Sequence, residues 1–169
     1  MKTVGILVES DYQTLEVWYP LYRLREAGHR VVVIGTGSAS SYLSKNGYPI
    51  KAERVADEVN TSDLDAIVIP GGWAPDHLRR YPGVVELVRQ MHAAGKPVAA
   101  ICHAGWVLVS AGILRGKRAT SYVAIQDDMI AAGAQWVDAE CVVDGNLITA
   151  RMPDDLPAFM RALLATVES

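Results

Sequence analysis

Four short apolar runs limit what this chain can become: Val4-Gly5-Ile6-Leu7-Val8, Val31-Val32-Val33-Ile34, Ala66-Ile67-Val68-Ile69 and Val98-Ala99-Ala100-Ile101. A strand with one wet face alternates apolar and polar residues. A run that is apolar at nearly every position has to be covered on both faces. The segments between the runs carry the helical period instead. Leu15 to Ala27 places Leu15, Val17, Trp18, Leu21 and Leu24 on a broad apolar face and is closed by Gly28. Gly83 to Ala94 does the same with Val84, Leu87, Val88 and Met91. Pro153-Asp154-Asp155 opens a last helix with Leu156, Phe159, Met160, Leu163 and Leu164 facing inward. Buried strands alternating with amphipathic helices predict an α/β sandwich with a mainly parallel sheet and right-handed crossovers.

Two hairpins decorate that plan. Ser41 to Ile50 turns at Lys45-Asn46-Gly47, and Glu140 to Thr149 turns at Asp144-Gly145. A short strand is expected near Ala119-Thr120-Ser121 and a helical piece from Ile125 to Ala132. Asp57 to Asp63 reads as a polar connection, and Pro70 to Asp76 as a loop. No repeat, linker or low-complexity tract divides the chain, so 1–169 is expected to be one domain.

The totals exclude several functions. A formal charge of −3 leaves no basic footprint for sequence-specific nucleic acid binding. Only Cys102 and Cys141 are present, too few for a disulfide framework, which points to a reducing, cytoplasmic setting. Cys141, in the run Cys141-Val142-Val143, reads as core. No stretch approaches the ~20 apolar residues of a membrane span, and no signal peptide is expected. Gly35-Thr36-Gly37 follows a strand but lacks the remaining glycine of a dinucleotide loop, so no cofactor is expected. No residue pattern suggests a metal site.

The chemistry concentrates where the fourth run stops. Cys102 sits between a buried strand and the apolar pattern Trp106, Val107, Val109, Leu114, on a sharp strand-to-helix turn. Such a cysteine can be a small core residue. It can equally be a nucleophile whose thiolate is stabilised by the free amides and dipole of the helix start, with a pKa of roughly 3.5–7.5. His103, beside it, favours the second reading. Ligands of open α/β sheets bind beyond the carboxyl ends of the strands. The loops after the first, third and fourth runs meet there, carrying Glu9 to Glu16, Gly71 to Asp76, and Cys102-His103. In that reading the Gly71, Gly72 and His103 amides form an oxyanion hole. Glu16, whose helix starts beside that edge, is then expected to be buried against the sulfur with a raised pKa; periodicity alone favours a solvated helix face for it, an alternative weakened by the apolar neighbours Leu15, Val17 and Trp18.

Several motifs in fixed order now carry a family resemblance. They are Glu16 four before Pro20, Pro70-Gly71-Gly72, Ala100-Ile101-Cys102-His103, Leu114-Arg115-Gly116, Thr120-Ser121-Tyr122 and Val143-Asp144-Gly145-Asn146. Over nearly its whole length the chain resembles the PfpI family of intracellular cysteine proteases. That family lies within the ThiJ/PfpI superfamily, together with the parkinsonism-associated protein. The resemblance implies a flavodoxin-like three-layer sandwich, Cys102 on a strained elbow, and Glu16 hydrogen-bonded to its sulfur. It also implies that Tyr122 borders the substrate. An acid at Asp76, donated by a neighbouring subunit, would orient His103, so a homo-oligomer (dimer or hexamer) is expected. Three departures stand out. Asp76 replaces a frequent Glu. Ala104-Gly105 follows His103 where Gly-Pro is common. Gln13 stands where relatives often carry an acid, which makes the pocket less acidic.

The activities implied are those of glyoxalases and deglycases acting on methylglyoxal and its early glycation adducts, or of a peptidase. In each, Cys102 attacks a carbonyl while His103 or Glu16 moves the proton. The same cysteine could instead serve a non-enzymatic peroxide sensor or stress chaperone. His103 speaks for turnover, because sensing needs no proton carrier.

Overall fold

The computed structural model describes residues 1–169. In chain order the elements are β1 (Thr3–Leu7), α1 (Thr14–Glu26), β2 (Arg30–Gly35), β3 (Ser41–Leu43), β4 (Pro49–Lys51), β5 (Arg54–Val55), β6 (Ala66–Ile69), α2 (Ala74–Leu78), α3 (Pro82–Ala93), β7 (Val98–Ile101), α4 (Gly105–Ala111), β8 (Arg118–Ala119), α5 (Gln126–Ala131), β9 (Gln135–Trp136), β10 (Cys141–Asp144), β11 (Leu147–Ala150) and α6 (Leu156–Glu168). Seven strands make the main sheet in the order β10-β11-β7-β6-β1-β2-β5. All neighbours in it are parallel except the edge pair β10–β11. Helices cover both faces, α1 packing against α6 and α3 against α4. The architecture expected from the apolar runs is the one observed.

Those runs are buried because they are central. Every residue of β6 and β7 is buried, and their side chains belong to one continuous apolar core with the inner faces of α1, α3 and α6. Each fully buried Ile, Val or Leu there contributes about 1.5–3 kcal/mol relative to exposure. The hairpin 140–149 extends the sheet: β11 pairs in parallel with β7, and β10 closes the edge in antiparallel. The other hairpin, β3–β4, stands off the sheet as a small ribbon.

Three local expectations need correction. The segment taken as a loop to Asp76 folds into the short helix α2, because Pro75 sits in its first turn, where a missing N–H is harmless. The polar connection 57–63 contains two single turns of 3₁₀ helix, Ala56–Glu58 and Thr61–Asp63. The strand near 119–121 is only Arg118–Ala119, paired in parallel with Gln135–Trp136. Two-residue strands carry too little pattern to be read from sequence.

The strand order fixes where a ligand fits. From β1 the chain passes to β2 on one side, then returns to β6 on the other. Loops leaving the carboxyl ends of β1 and β6 therefore diverge, opening a crevice at the switch point of the sheet.

Candidate active site

The nucleophile candidate lies at the floor of that crevice. β7 ends at Ile101, and Cys102 follows with φ 63°, in the left-handed region that side chains rarely adopt. Such a conformation costs about 1–3 kcal/mol and persists only where neighbours impose it. Here Tyr122 donates its N–H to the Cys102 carbonyl at 3.2 Å. The residue is 9% exposed. Its sulfur receives the amides of His103 and Gly72 and lies 3.2 Å from His103 Nδ1.

Glu16, in the first turn of α1, is fully buried beside it. Its Oε2 accepts the Gly71 N–H at 2.6 Å. Its Oε1 is buried without a conventional partner, and the Cys102 thiol is the group left to interact with the carboxyl. Burial pushes the carboxyl up to about 8, against the opposing pull of the Gly71 amide, Lys45 and Cys102. Glu16 therefore carries a proton at neutral pH. Gly71 has to be glycine. A Cβ would stand 2.6 Å from Glu16 Oε2 and 2.7 Å from Cys102 Cβ.

This geometry revises two expectations. Gly71 gives its N–H to Glu16, so the donors facing the sulfur are Gly72 and His103 alone. The Cys102 thiol is pushed up to about 12, first by burial and then by the charge of Glu16 when ionised, against the amides of His103 and Gly72. The amides and dipole of the helix start were expected to lower this pKa, but burial of the sulfur outweighs them. The second cause disappears while Glu16 is protonated. The two acids then act as a coupled pair, in which the carboxyl O–H faces the sulfur. Burial, and next to it the Lys45 cation, lowers the pKa of His103 below its ordinary value. The imidazole is thus neutral at pH 7 and able to accept the thiol proton.

Around His103 stands an aromatic wall that sequence reading did not assemble. Tyr122 stacks on the imidazole at 5.0 Å and 29°, while Trp106 and Trp73 meet it edge-on at 5.3 and 5.9 Å. Trp73 is 57% exposed and stacks on Trp106. These rings come from three separate loops and helices, so spacing gave no signal. The open cleft above the sulfur measures about 530 Å³ and is bordered by Lys45, Gly72, Trp73, Cys102, His103 and Tyr122, with Asp11 and Gln13 at its rim. Lys45 was read only as a turn residue. Asp11, with φ 63°, approaches His77 Nε2 at 3.9 Å.

Of the expected site residues, Cys102, His103, Glu16, Gly71, Gly72 and Tyr122 converge. Asp76 does not reach His103 within this chain. It points along α2 and pairs with Arg80 one turn later. No group of three or more His, Cys, Asp or Glu side chains converges as metal ligands do. No helix is long and apolar enough to cross a membrane.

Comparison with known proteins adds a second line of argument. The sequence model of the DJ-1/PfpI family matches residues 2–166. A deglycase of Pyrococcus horikoshii is 46% identical over 158 residues, 94% of this chain and 95% of that one. A protein named protein/nucleic acid deglycase 2, from Escherichia coli, is 38% identical over 165 residues, 96% of each chain. Among solved structures, a two-domain protein of Anabaena variabilis with DJ-1/ThiJ/PfpI-like and ferritin-like domains matches at a TM-score of 0.96 and 44% identity. That match covers 98% of this chain and 48% of the two-domain protein.

Proposed function

The chain belongs to the DJ-1/PfpI family, and from that premise we propose that it is a cysteine-dependent enzyme acting on carbonyl substrates, of the deglycase type. The observation that carries this reading is the Cys102–Glu16 pair at the floor of an open cleft, with His103 Nδ1 3.2 Å from the sulfur. A thiol, a neutral base and a protonated acid are the parts needed to add sulfur to a carbonyl and to handle the protons. In the proposed reaction the Cys102 Sγ–C bond forms as the thiol proton passes to His103 Nδ1. The carbonyl electron pair moves onto oxygen, which turns toward the Gly72 and His103 amides. Glu16 stays protonated and hydrogen-bonded to the sulfur, and His103 passes the thiol proton on to the oxyanion, so that the thiol has added across the carbonyl.

The cleft volume favours adducts over free dicarbonyls. About 530 Å³ is typical of sites for ligands far larger than a three-carbon dicarbonyl. An early glycation adduct on an amino-acid side chain or a nucleotide brings a carrier that fills the remainder. The exposed Trp73 face suits a planar carrier. Two free cysteines fit a reducing compartment, and we assign the enzyme to the cytoplasm.

The assembly proposed is a homo-oligomer in which Asp76 of one subunit faces His103 of another. Two features support it. Asp76 is half-buried, paired with Arg80, and does not reach its own His103. In addition, α1 presents Leu15, Tyr19 and Tyr22 to solvent, an apolar patch of the kind that subunit contacts cover.

The functional test is direct. Wild type and Cys102→Ala are incubated with a methylglyoxal-derived adduct of N-acetylarginine, with methylglyoxal itself and with a fluorogenic peptide. Cys102-dependent release of free arginine derivative, faster than peptide cleavage, is expected. Equal adduct decay with and without Cys102 refutes the assignment. Cys102-dependent cleavage of the peptide alone would reassign the protein as a peptidase.

A further inference from the structure

The β3–β4 ribbon has three-residue strands, too short to order themselves. It is nevertheless stitched to the loop after β1. Asp11 donates its N–H to Leu43 O at 2.9 Å, Lys45 donates its N–H to Tyr12 O at 2.9 Å, and Thr14 Oγ1 donates to Ser44 Oγ at 2.7 Å. Buried Ser44 Oγ in turn accepts the amides of Asn46 and Tyr48. On its other side the β1 loop is bonded to the loop after β6, through Gln13 N–H to Gly71 O at 3.2 Å and Trp73 N–H to Asp11 O at 2.9 Å. Ribbon turn and site loops therefore form one hydrogen-bonded unit, which fixes the backbone of Lys45 at the cleft.

The side chain of Lys45 borders the cleft with Cys102 and His103. Its ammonium takes part in none of the ion pairs of the chain. Its charge is nonetheless felt at Glu16, Cys102 and His103. Neither carboxylate at the cleft pairs with it, and the third polar neighbour is uncharged. Asp11 approaches His77 instead. Position 13 is the neutral Gln13, whose Oε1 accepts the Leu15 N–H at 3.1 Å. Glu16 is buried and protonated. A cation left without a partner, beside a nucleophile and two amide donors, is matched to a ligand anion.

We propose that Lys45 is the anion-recognising residue of the cleft and gives it, beside the uncharged adducts proposed above, affinity for ligands that carry a carboxylate next to the carbon that meets Cys102. These are 2-oxo acids, whose carbonyl adds the Cys102 thiol reversibly to give a hemithioketal, and 2-hydroxy acids, which occupy the same place without reacting. In such a ligand the reacting carbon meets Cys102 Sγ, the carbonyl oxygen faces the Gly72 and His103 amides, and the carboxylate one bond away is left for the Lys45 ammonium. This rests on the reading of Cys102 as the nucleophile of the cleft.

The test compares alkylation of Cys102 by iodoacetate and by iodoacetamide, which differ in carrying a carboxylate or a neutral amide. Neither requires turnover, and the modified residue is located by mass spectrometry. In Lys45→Met the iodoacetate-to-iodoacetamide rate ratio should fall about three- to fivefold, the upper end for a pair whose lysine is exposed. Lys45→Arg should restore it. In unmodified protein the same ratio should fall as salt rises from about 0.01 M to about 1 M, which shortens the screening length from ~30 to ~3 Å. Glycolate should slow alkylation of wild type more than glycolamide does. An unchanged ratio in Lys45→Met, or equal loss of both rates, overturns the role of Lys45 while leaving the Cys102 reading intact. Failure of both reagents to modify Cys102 overturns that reading and this inference with it.

Discussion

Replacing Glu16 by Gln separates what the buried carboxyl does for the fold from what it does for chemistry. Glu16 has an ordinary pKa of 4.5 in the unfolded chain and about 8 in the native one. A native pKa raised in this way means that folded protein holds the proton more tightly. Its stabilising contribution is complete below pH 4.5 and is lost progressively as pH climbs through about 8. At about 1.4 kcal/mol per pH unit, the interval corresponds to a loss of at most about 5 kcal/mol. Gln cannot ionise, yet keeps the shape: its oxygen can accept the Gly71 N–H and its amide can face the sulfur. Stability of Glu16→Gln relative to wild type should therefore rise by several kcal/mol between about pH 5 and pH 8, because the other titrating groups cancel in the difference. Urea unfolding at intervals across that range measures it. Over the same range turnover should fall by about 10²-fold or more, the usual cost of losing a positioned acid. Two stability curves that stay parallel from pH 5 to pH 8 would refute the buried, protonated Glu16. Unchanged turnover would refute its part in the chemistry.

The pH dependence of kcat/KM should be bell-shaped. The acid limb lies below 6.5, where His103 must lose its proton, and the alkaline limb near 8, where Glu16 loses its own. The alkaline limb should vanish in Glu16→Gln, and a limb that persists there belongs to another group. Gly71→Ala forces a Cβ to 2.6 Å from Glu16 Oε2 and should cost about 1–3 kcal/mol while slowing Cys102 alkylation; normal stability and reactivity would contradict the packing described. Asp76→Ala and Cys102→Ala subunits, each inactive, should regain part of the activity when co-refolded, since some sites then combine Asp76 and Cys102 from different chains. Absence of recovery in demonstrably mixed oligomers removes Asp76 from the site. Ile67→Ala, in the middle of β6 and fully buried, should lower unfolding free energy by about 2–5 kcal/mol without changing alkylation of Cys102.

Much of this protein was legible before any coordinates. Runs such as Ala66–Ile69 and Val98–Ile101 specify buried parallel strands because continuous apolarity has only that outlet in a chain of alternating elements. The abrupt change of period at Cys102 marks the strand-to-helix turn, and the structure puts that residue in the left-handed region. Glu16 was pointed to by its place at the start of the helix beside the active edge and by the family resemblance, while periodicity alone left it on a solvated face. Such signals are local, written in spacing and in residue type.

What sequence could not settle depends on distance between segments remote in the chain and on solvent exclusion. The Gly71 amide could serve an oxyanion or a carboxylate, and only the burial of Glu16 against it decides for the carboxylate. The helix start at Cys102 suggests a lowered pKa, but the surrounding core removes the water that would stabilise a thiolate, and burial outweighs two amides. Trp73, Trp106 and Tyr122 enclose His103 only because α2, α4 and the loop after β8 meet at one edge of the sheet. Lys45 looks like any turn residue until the ribbon is bonded to the β1 loop and its cation is left beside the sulfur. Periodicity and residue type act along the chain and can be read there, whereas desolvation and charge act through space and exist only once the chain has folded.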